Sequence, residues 1–188
     1  MNVTSAEFIK GIRGTDPVAT DGTPQVAFVG RSNVGKSSLI AALTNNRGLV
    51  KVSNTPGKTR EINFFRINNK FYLVDLPGYG YARVGPTEKE KLQKLILWYL
   101  TDPSIRPEMV VIVVDANVGV TAFDQQMIEI LREQKHPFVI AANKIDKLGK
   151  RELAARLAEI EKISGAEVAP VSAETHDGVK ELARILLV

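Results

Sequence analysis

The sequence predicts an α/β fold: a mostly parallel six-stranded sheet with one antiparallel strand and helices on both faces, three layers in all. Three observations predict it. The apolar run Val26-Ala27-Phe28-Val29 leads through a glycine loop into Leu39-Ile40-Ala41-Ala42-Leu43, the strand–loop–helix unit of doubly wound sheets. Two strand-like runs, 62–67 and 71–74, flank Asn68-Asn69, a tight reversal that makes a hairpin and sets one strand antiparallel. From residue 109 onward, apolar runs alternate with helical patterns, as a parallel sheet with crossover helices requires.

Taken in order, residues 1–24 read as an extension packed on a domain spanning 25–188, with a short helix expected around Ser5 to Ile12. After the first strand and helix comes an irregular stretch from Leu49 to Arg60, centred on Pro56-Gly57. The hairpin's second strand ends in Asp75-Leu76-Pro77-Gly78. Thr87 and Glu90, with Pro86 just before them, have capping-box spacing. They open a helix with Leu92, Leu95, Ile96, Tyr99 and Leu100 on one face and Trp98 off it. The six-residue run 109–114, rich in valine, is a buried strand, followed by a helix near Asp124–Gln134. A strand at 138–142 leads to a helix over 150–163 that turns Leu153, Leu157 and Ile160 inward. A strand at 167–171 precedes a last helix from Asp177, burying Val179, Leu182, Ala183 and Leu186.

At 188 residues the chain has the size of one domain. It has no cysteine, hence no disulfide framework and no thiolate metal site. No apolar stretch approaches a membrane span, and the N-terminus lacks a signal-peptide layout. A cytoplasmic protein without membrane attachment, and a monomer, is expected. The charge of +4 is unevenly spread: 14 Lys and Arg against 7 Asp and Glu in residues 1–100, 11 against 14 in 101–188. The basic half holds more cations than one small ligand needs, which makes a polyanion such as RNA a candidate partner beside the plainer reading of a solvated surface.

Gly30-Arg31-Ser32-Asn33-Val34-Gly35-Lys36-Ser37 fits G-x-x-x-x-G-K-[ST], with Ser38 behind it. Its backbone N–H groups and the helix N-terminus make an anion cradle. Lys36 supplies a cation, and the Ser37 hydroxyl can ligate Mg²⁺. Asp75-Leu76-Pro77-Gly78 fits D-x-x-G, in which the aspartate holds Mg²⁺ through water and the glycine N–H meets the γ-phosphate. Between them, one threonine of Thr55-Pro56-Gly57-Lys58-Thr59-Arg60 is expected to close over Mg²⁺ and the γ-phosphate, with Thr59 preferred to Thr55.

Asn143-Lys144-Ile145-Asp146 names the base. Guanine presents N1–H and an exocyclic amine side by side, and the Asp146 carboxylate can accept both; adenine would leave it unpaired, which is costly. Asn143 can bond neighbouring loop groups or the base's acceptor edge, and the Lys144 stem can lie across the base plane. In Ser172-Ala173-Glu174, the Ala173 N–H can donate to the guanine carbonyl.

At these residues the chain resembles translation-factor-class GTPases, most closely the EngB (YihA/YsxC) group of bacterial GTPases within the phosphate-loop GTPase superfamily. The matching stretches are 30–38, Thr55–Arg60 with Ile62-Asn63-Phe64-Phe65, Asp75-Leu76-Pro77-Gly78-Tyr79-Gly80-Tyr81-Ala82, Asp124–Ile128 and Ala6-Glu7-Phe8-Ile9. The resemblance implies a Ras-like G domain, GTP/GDP and Mg²⁺ as ligands, slow GTPase activity, and a role in large ribosomal subunit assembly that is needed for normal cell division and septation. Guanine nucleotide and the large subunit's RNA and proteins are the partners it implies. The catalytic roles then fall to Lys36, Thr59, Gly78 and Asn33, and nucleotide contacts extend to Gly57, Lys58, Arg60 and Glu61.

Two departures stand out. Ala116-Asn117-Val118-Gly119 replaces the group's usual Arg-His pair, and Asn143 stands where the group often has Thr. Tyr79 occupies the position at which Ras-like GTPases carry a water-orienting glutamine, so slow turnover aided from outside is expected. Asn33 has two readings: a ligand for K⁺ beside the phosphates, as in related GTPases with Asn here, or a side chain that shapes the turn.

Overall fold

A computed structural model describes residues 3–46, 48–49, 60–80 and 85–186 of the chain. In chain order its elements are β1 (Ala6–Ile12), β2 (Gln25–Val29), α1 (Lys36–Leu43), β3 (Ile62–Ile67), β4 (Phe71–Asp75) and α2 (Pro86–Thr101). They continue with β5 (Met109–Asp115), α3 (Ala122–Glu133), β6 (Phe138–Asn143), α4 (Lys150–Ser164), β7 (Val168–Pro170) and α5 (Val179–Ile185). Single 3₁₀ turns lie at Pro17–Ala19 and Ile145–Lys147.

The strands form one sheet in the order β1-β3-β4-β2-β5-β6-β7. β3 runs antiparallel to both its neighbours, and every other pairing is parallel. All five residues of β2 are buried, as are Val110–Val114 of β5. Central parallel strands are covered on both faces, so they read as continuous apolar runs. Alternate residues serve opposite layers. Ala27, Val29, Val110, Ile112 and Val114 pack with Leu95, Tyr99, Met127 and Ile160 of α2, α3 and α4. Val26, Phe28, Val111 and Val113 pack with Leu39, Ile40 and Leu182 of α1 and α5.

The seventh strand is the N-terminal segment, for which the sequence suggests a helix. β3 would otherwise expose an unpaired sheet edge, and the alternation of 6–12 lets β1 cover it, from Ala6↔Ile67 to Ile12↔Ile62. Phe8 meets Phe65 across the pair at 5.6 Å, and Asn68 Oδ1 accepts from the Thr4 and Ser5 N–H groups at 2.7 and 3.0 Å.

Two helix starts also differ from expectation. α2 begins at Pro86 itself, with Gly85 as an extended N-cap and no side-chain cap. Proline's fixed φ suits the first helical position, so Thr87 lies inside the helix and cannot cap it. The capping box is instead at α3, where the Thr121 N–H donates to Asp124 Oδ2 at 2.8 Å and Thr121 Oγ1 accepts from the Asp124 N–H. Leu153 and Leu157 of α4 are half-buried, and only Ile160 of that trio is fully inside.

Candidate functional site

Parallel β2, β4, β5 and β6 all end on one edge of the sheet, where their loops converge, as the doubly wound topology dictates. The loop after β2 wraps the start of α1. Gly35 takes φ +97° as the N-cap, and a Cβ there would collide with the Asn143 side chain. No side chain caps this helix, so its first N–H groups face the loop, a suitable arrangement for an anion.

Lys36 is buried, and its Nζ donates to the Gly30 and Arg31 carbonyls at 2.9 and 3.2 Å. Burial draws its pKa down to about 8 from 10.5, against the opposing pull of the Asp75 and Asp124 charges. At the next residue, Ser37 Oγ donates to Asp75 Oδ2 at 2.5 Å. Asp75 closes β4, fully buried; burial raises its pKa, while Lys36 and Ser37 oppose the rise. Its second oxygen, Oδ1, is buried with no hydrogen-bond partner among the described residues.

The D-x-x-G loop lies directly on the phosphate loop. A parallel bridge joins Arg31 to Tyr79, with the Ser32 N–H donating to Tyr79 O at 2.8 Å and the Tyr79 N–H to Gly30 O at 3.3 Å. A Cβ on Gly78 would stand 2.8 Å from the Ser32 backbone, so only glycine allows this approach. Leu76 is buried and donates its N–H to Phe28 O. The Tyr79 ring turns the other way: its hydroxyl donates to Asp124 Oδ1 at 2.6 Å, in the core. Burial first, then the Asp124 charge, holds the phenol well above its ordinary pKa.

The third cluster ends β6. Asn143 Nδ2 donates to Val34 O at 2.8 Å, while Asn143 Oδ1 accepts from the Ala173 N–H at 3.0 Å. Of the two roles open to Asn143, the structure shows the tie between loops: it joins the phosphate loop to the Ser172-Ala173-Glu174 loop. The Ala173 N–H, expected to face a base, is directed at Asn143 here. Lys144, in the left-handed region at φ +69°, reaches Asn33 O at 2.8 Å and Asp115 Oδ2 at 2.7 Å. Ser172 is fully buried, and its Oγ donates to exposed Asp146 at 2.6 Å while accepting from the Glu174 and Thr175 N–H groups. Ile145 donates its N–H to Val171 O and packs against the core.

These contacts bring together Gly30–Ser37, Asp75–Gly78, Asn143–Asp146 and Ser172–Glu174; Ser38 directly follows the first of these segments and Pro77 lies within the second. Arg60 and Glu61 take part elsewhere. Glu61 accepts from Arg13 Nε at 3.0 Å and Arg60 pairs with Glu88 at 3.7 Å, because the start of β3 is held by its register with the end of β1. Gly57, Lys58 and Thr59, with Thr55, lie outside the described residues. Asn33 has φ +66°, the left-handed conformation that Asn tolerates in a turn. Sequence reasoning missed Asp115 and Asp124 as positioning groups, and it named Ser172 as a nucleotide contact where the structure shows its hydroxyl on Asp146. Only Asp124 carried a signal, the Thr-x-x-Asp spacing from Thr121.

A family model described as a 50S ribosome-binding GTPase matches residues 25–144. A second, the elongation factor Tu GTP binding domain, matches residues 104–188. A probable GTP-binding protein EngB of Clostridium kluyveri is 43% identical over 192 residues, covering 99% of this chain and 96% of its own. One from Clostridium perfringens is 48% identical over 153 residues, covering 81% and 77%. The crystal structure of a probable GTP-binding protein EngB superposes with a TM-score of 0.73 at 26% identity, over 85% of this chain and 95% of that one.

Proposed function

This chain belongs to the EngB family of GTP-binding proteins, GTPases that bind guanine nucleotide, and we propose that it is a Mg²⁺-dependent switch in large ribosomal subunit assembly. Under this reading it works in the cytoplasm as a monomer, and normal cell division and septation depend on it. The observation that carries the reading is the meeting of three loops at one sheet edge: the Gly30–Ser37 cradle, the Asp75–Gly78 loop and the Asn143–Asp146 loop tied to it through Asn143 and Lys144.

Each group then has work to do. Lys36 exchanges the Gly30 and Arg31 carbonyls for phosphate oxygens, gaining a charge-assisted bond. The loop N–H groups and the start of α1 hold the same phosphates. Gly78 would offer its N–H to the γ-phosphate, and Thr59 is the threonine expected to serve Mg²⁺ and the γ-phosphate. Asp146, aimed by Ser172, accepts the two guanine donors. The donor chemistry supports a metal here: Ser37 and Asp75 are hard oxygen donors in contact, and the orphaned Asp75 Oδ1 suits a cation or its water. Mg²⁺ held there would supply positive charge to offset the negative charge of the phosphates. With Tyr79 committed to Asp124, nothing at that position orients water, so hydrolysis is slow and a K⁺ ion at Asn33 or a ribosomal partner supplies what is missing.

The same tyrosine favours a second reading, a nucleotide-gated ribosome-binding module in which hydrolysis is incidental. Co-sedimentation with large ribosomal subunits in GDP, GTP and a non-hydrolysable analogue tests the proposal, together with single-turnover hydrolysis on and off the subunit. Binding that depends on nucleotide, with faster hydrolysis on the subunit, is expected. Nucleotide-dependent binding with an unchanged rate selects the second reading, and no binding in any state sinks both.

A further inference from the structure

Beyond the nucleotide site lies a cleft of 510 Å³ between the turn after β1 and the outer side of α2. Its walls carry Arg13, Arg60, Lys91 and Lys94 against one lining carboxylate, Glu88, together with half-buried Trp98. Leu92 and Leu95 form the floor, so the cleft is apolar at its base and cationic at its rim.

We infer that this cleft docks an unpaired segment of RNA. The identification of the polymer as RNA rests on the ribosomal reading above; the fit rests on the cleft. Single strands are held by cations tracking the phosphates and by aromatic faces on which bases stack. A dinucleotide needs both chemistries within a few ångströms, and here Trp98 and four cations share one wall-to-wall space. A duplex would not enter it.

Three of the four cations form ion pairs with carboxylates that are exposed or partly exposed: Arg13 with Glu61 at 3.0 Å, Lys94 with Glu90 at 2.7 Å, Arg60 with Glu88 at 3.7 Å. Such surface pairs are individually weak, so phosphates can replace the carboxylates at small cost.

Trp98 is the sole tryptophan of the chain, so it reports docking directly. The experiment titrates the full chain with a fluorescein-labelled oligoadenylate of about a dozen nucleotides, reading RNA anisotropy and, with unlabelled RNA, Trp98 emission. Binding with quenching of Trp98 is expected. Arg13→Ala with Lys94→Ala should weaken binding about tenfold and lower the slope of log affinity against log salt by about 1.4, at about 0.7 per phosphate. Lys180→Ala with Arg184→Ala, on α5 across the sheet from α2, should change it less than about twofold.

Binding that leaves Trp98 emission unchanged overturns the inference, as does equal weakening by the two double variants. Absence of RNA binding, or stronger binding of poly-glutamate than of RNA, overturns it as well. Nucleotide binding and subunit co-sedimentation of the wild type, measured on the same preparation, test the ribosomal switch separately. If those persist in the Arg13/Lys94 variant while the wild type ignores the oligonucleotide, the cleft fails and the switch stands.

Discussion

The Tyr79 hydroxyl donates a 2.6 Å hydrogen bond to Asp124, the same carboxylate that closes the capping box of α3. The residue after D-x-x-G is therefore part of the core between the sheet and α3, and its backbone alone meets the phosphate loop. Tyr79→Phe leaves a buried carboxylate oxygen short of a donor and is expected to cost about 1–3 kcal/mol in urea unfolding. Tyr79→Gln tests the direction of the side chain. Single-turnover hydrolysis is expected to rise by no more than about threefold, since the amide would point at α3 and not at the γ-phosphate; a larger gain would show that the position faces the nucleotide.

Lys36 separates stability from binding. Its folded pKa, about 8, lies below its ordinary value of 10.5. The unfolded chain therefore binds more protons between these values, and stability without nucleotide rises as pH climbs through that window, by up to about 1.4 kcal/mol per unit. Lys36→Met removes a buried cation and should abolish this rise in pH-dependent thermal melts. The same variant should lose at least about 100-fold in GTP affinity. A wild-type melting temperature flat over that range would refute the account.

Asp75 has the opposite sign. Burial raises its pKa, so the folded state holds a proton that the unfolded chain releases, and stability falls as pH rises from the ordinary carboxylate value through the raised one. Asp75→Asn should remove that dependence and leave the nucleotide-free protein at least as stable, because an orphaned buried charge is gone. Mg²⁺-supported GTP binding should need at least about tenfold more Mg²⁺. Titration of GTP affinity against Mg²⁺ checks it; an unchanged Mg²⁺ requirement would exclude Asp75 from the metal site.

At the base loop, Asp146→Asn should shift preference from guanosine to xanthosine nucleotide, measured by competition. Ser172→Ala frees the Asp146 carboxylate from its 2.6 Å donor and is expected to weaken GDP binding about five- to tenfold while keeping guanosine preferred. Equal loss of discrimination in both variants would mean that Ser172 contacts the base itself.

Hydrolysis rates in K⁺ and Na⁺ distinguish the two readings of Asn33. A K⁺-specific increase that Asn33→Ala removes is expected of an ion ligand. Equal rates in both salts would leave the left-handed turn, at φ +66°, as its whole role.

Much of the site was legible because its chemistry is local. Gly30–Ser37 needs only its own spacing and the flanking strand and helix to form a cradle. The stripe Leu92, Leu95, Ile96, Tyr99 and Leu100 is buried as its helical period requires. The N-terminal strand was not legible, since whether residues 6–12 coil or extend depends on a free edge of β3, which comes into being only when the hairpin joins the sheet. The start of α2 was misplaced by a spacing shared by Thr87 and Glu90, which Pro86 overrode from within the helix.

The sequence by itself determined the ligand class of this protein. The segments proposed to recognise phosphate and guanine are short, and their residue types and spacing carry that chemistry. The tertiary structure alone decided how those segments hold one another: Asn143 across to Val34 and Ala173, Lys144 to Asn33 and Asp115, Ser172 to Asp146, Tyr79 to Asp124. Those partners lie from 26 to 111 residues apart along the chain. Hydrogen bonds of that kind leave no periodic trace in the sequence, because they exist only once parallel strands have carried their loops to a common edge.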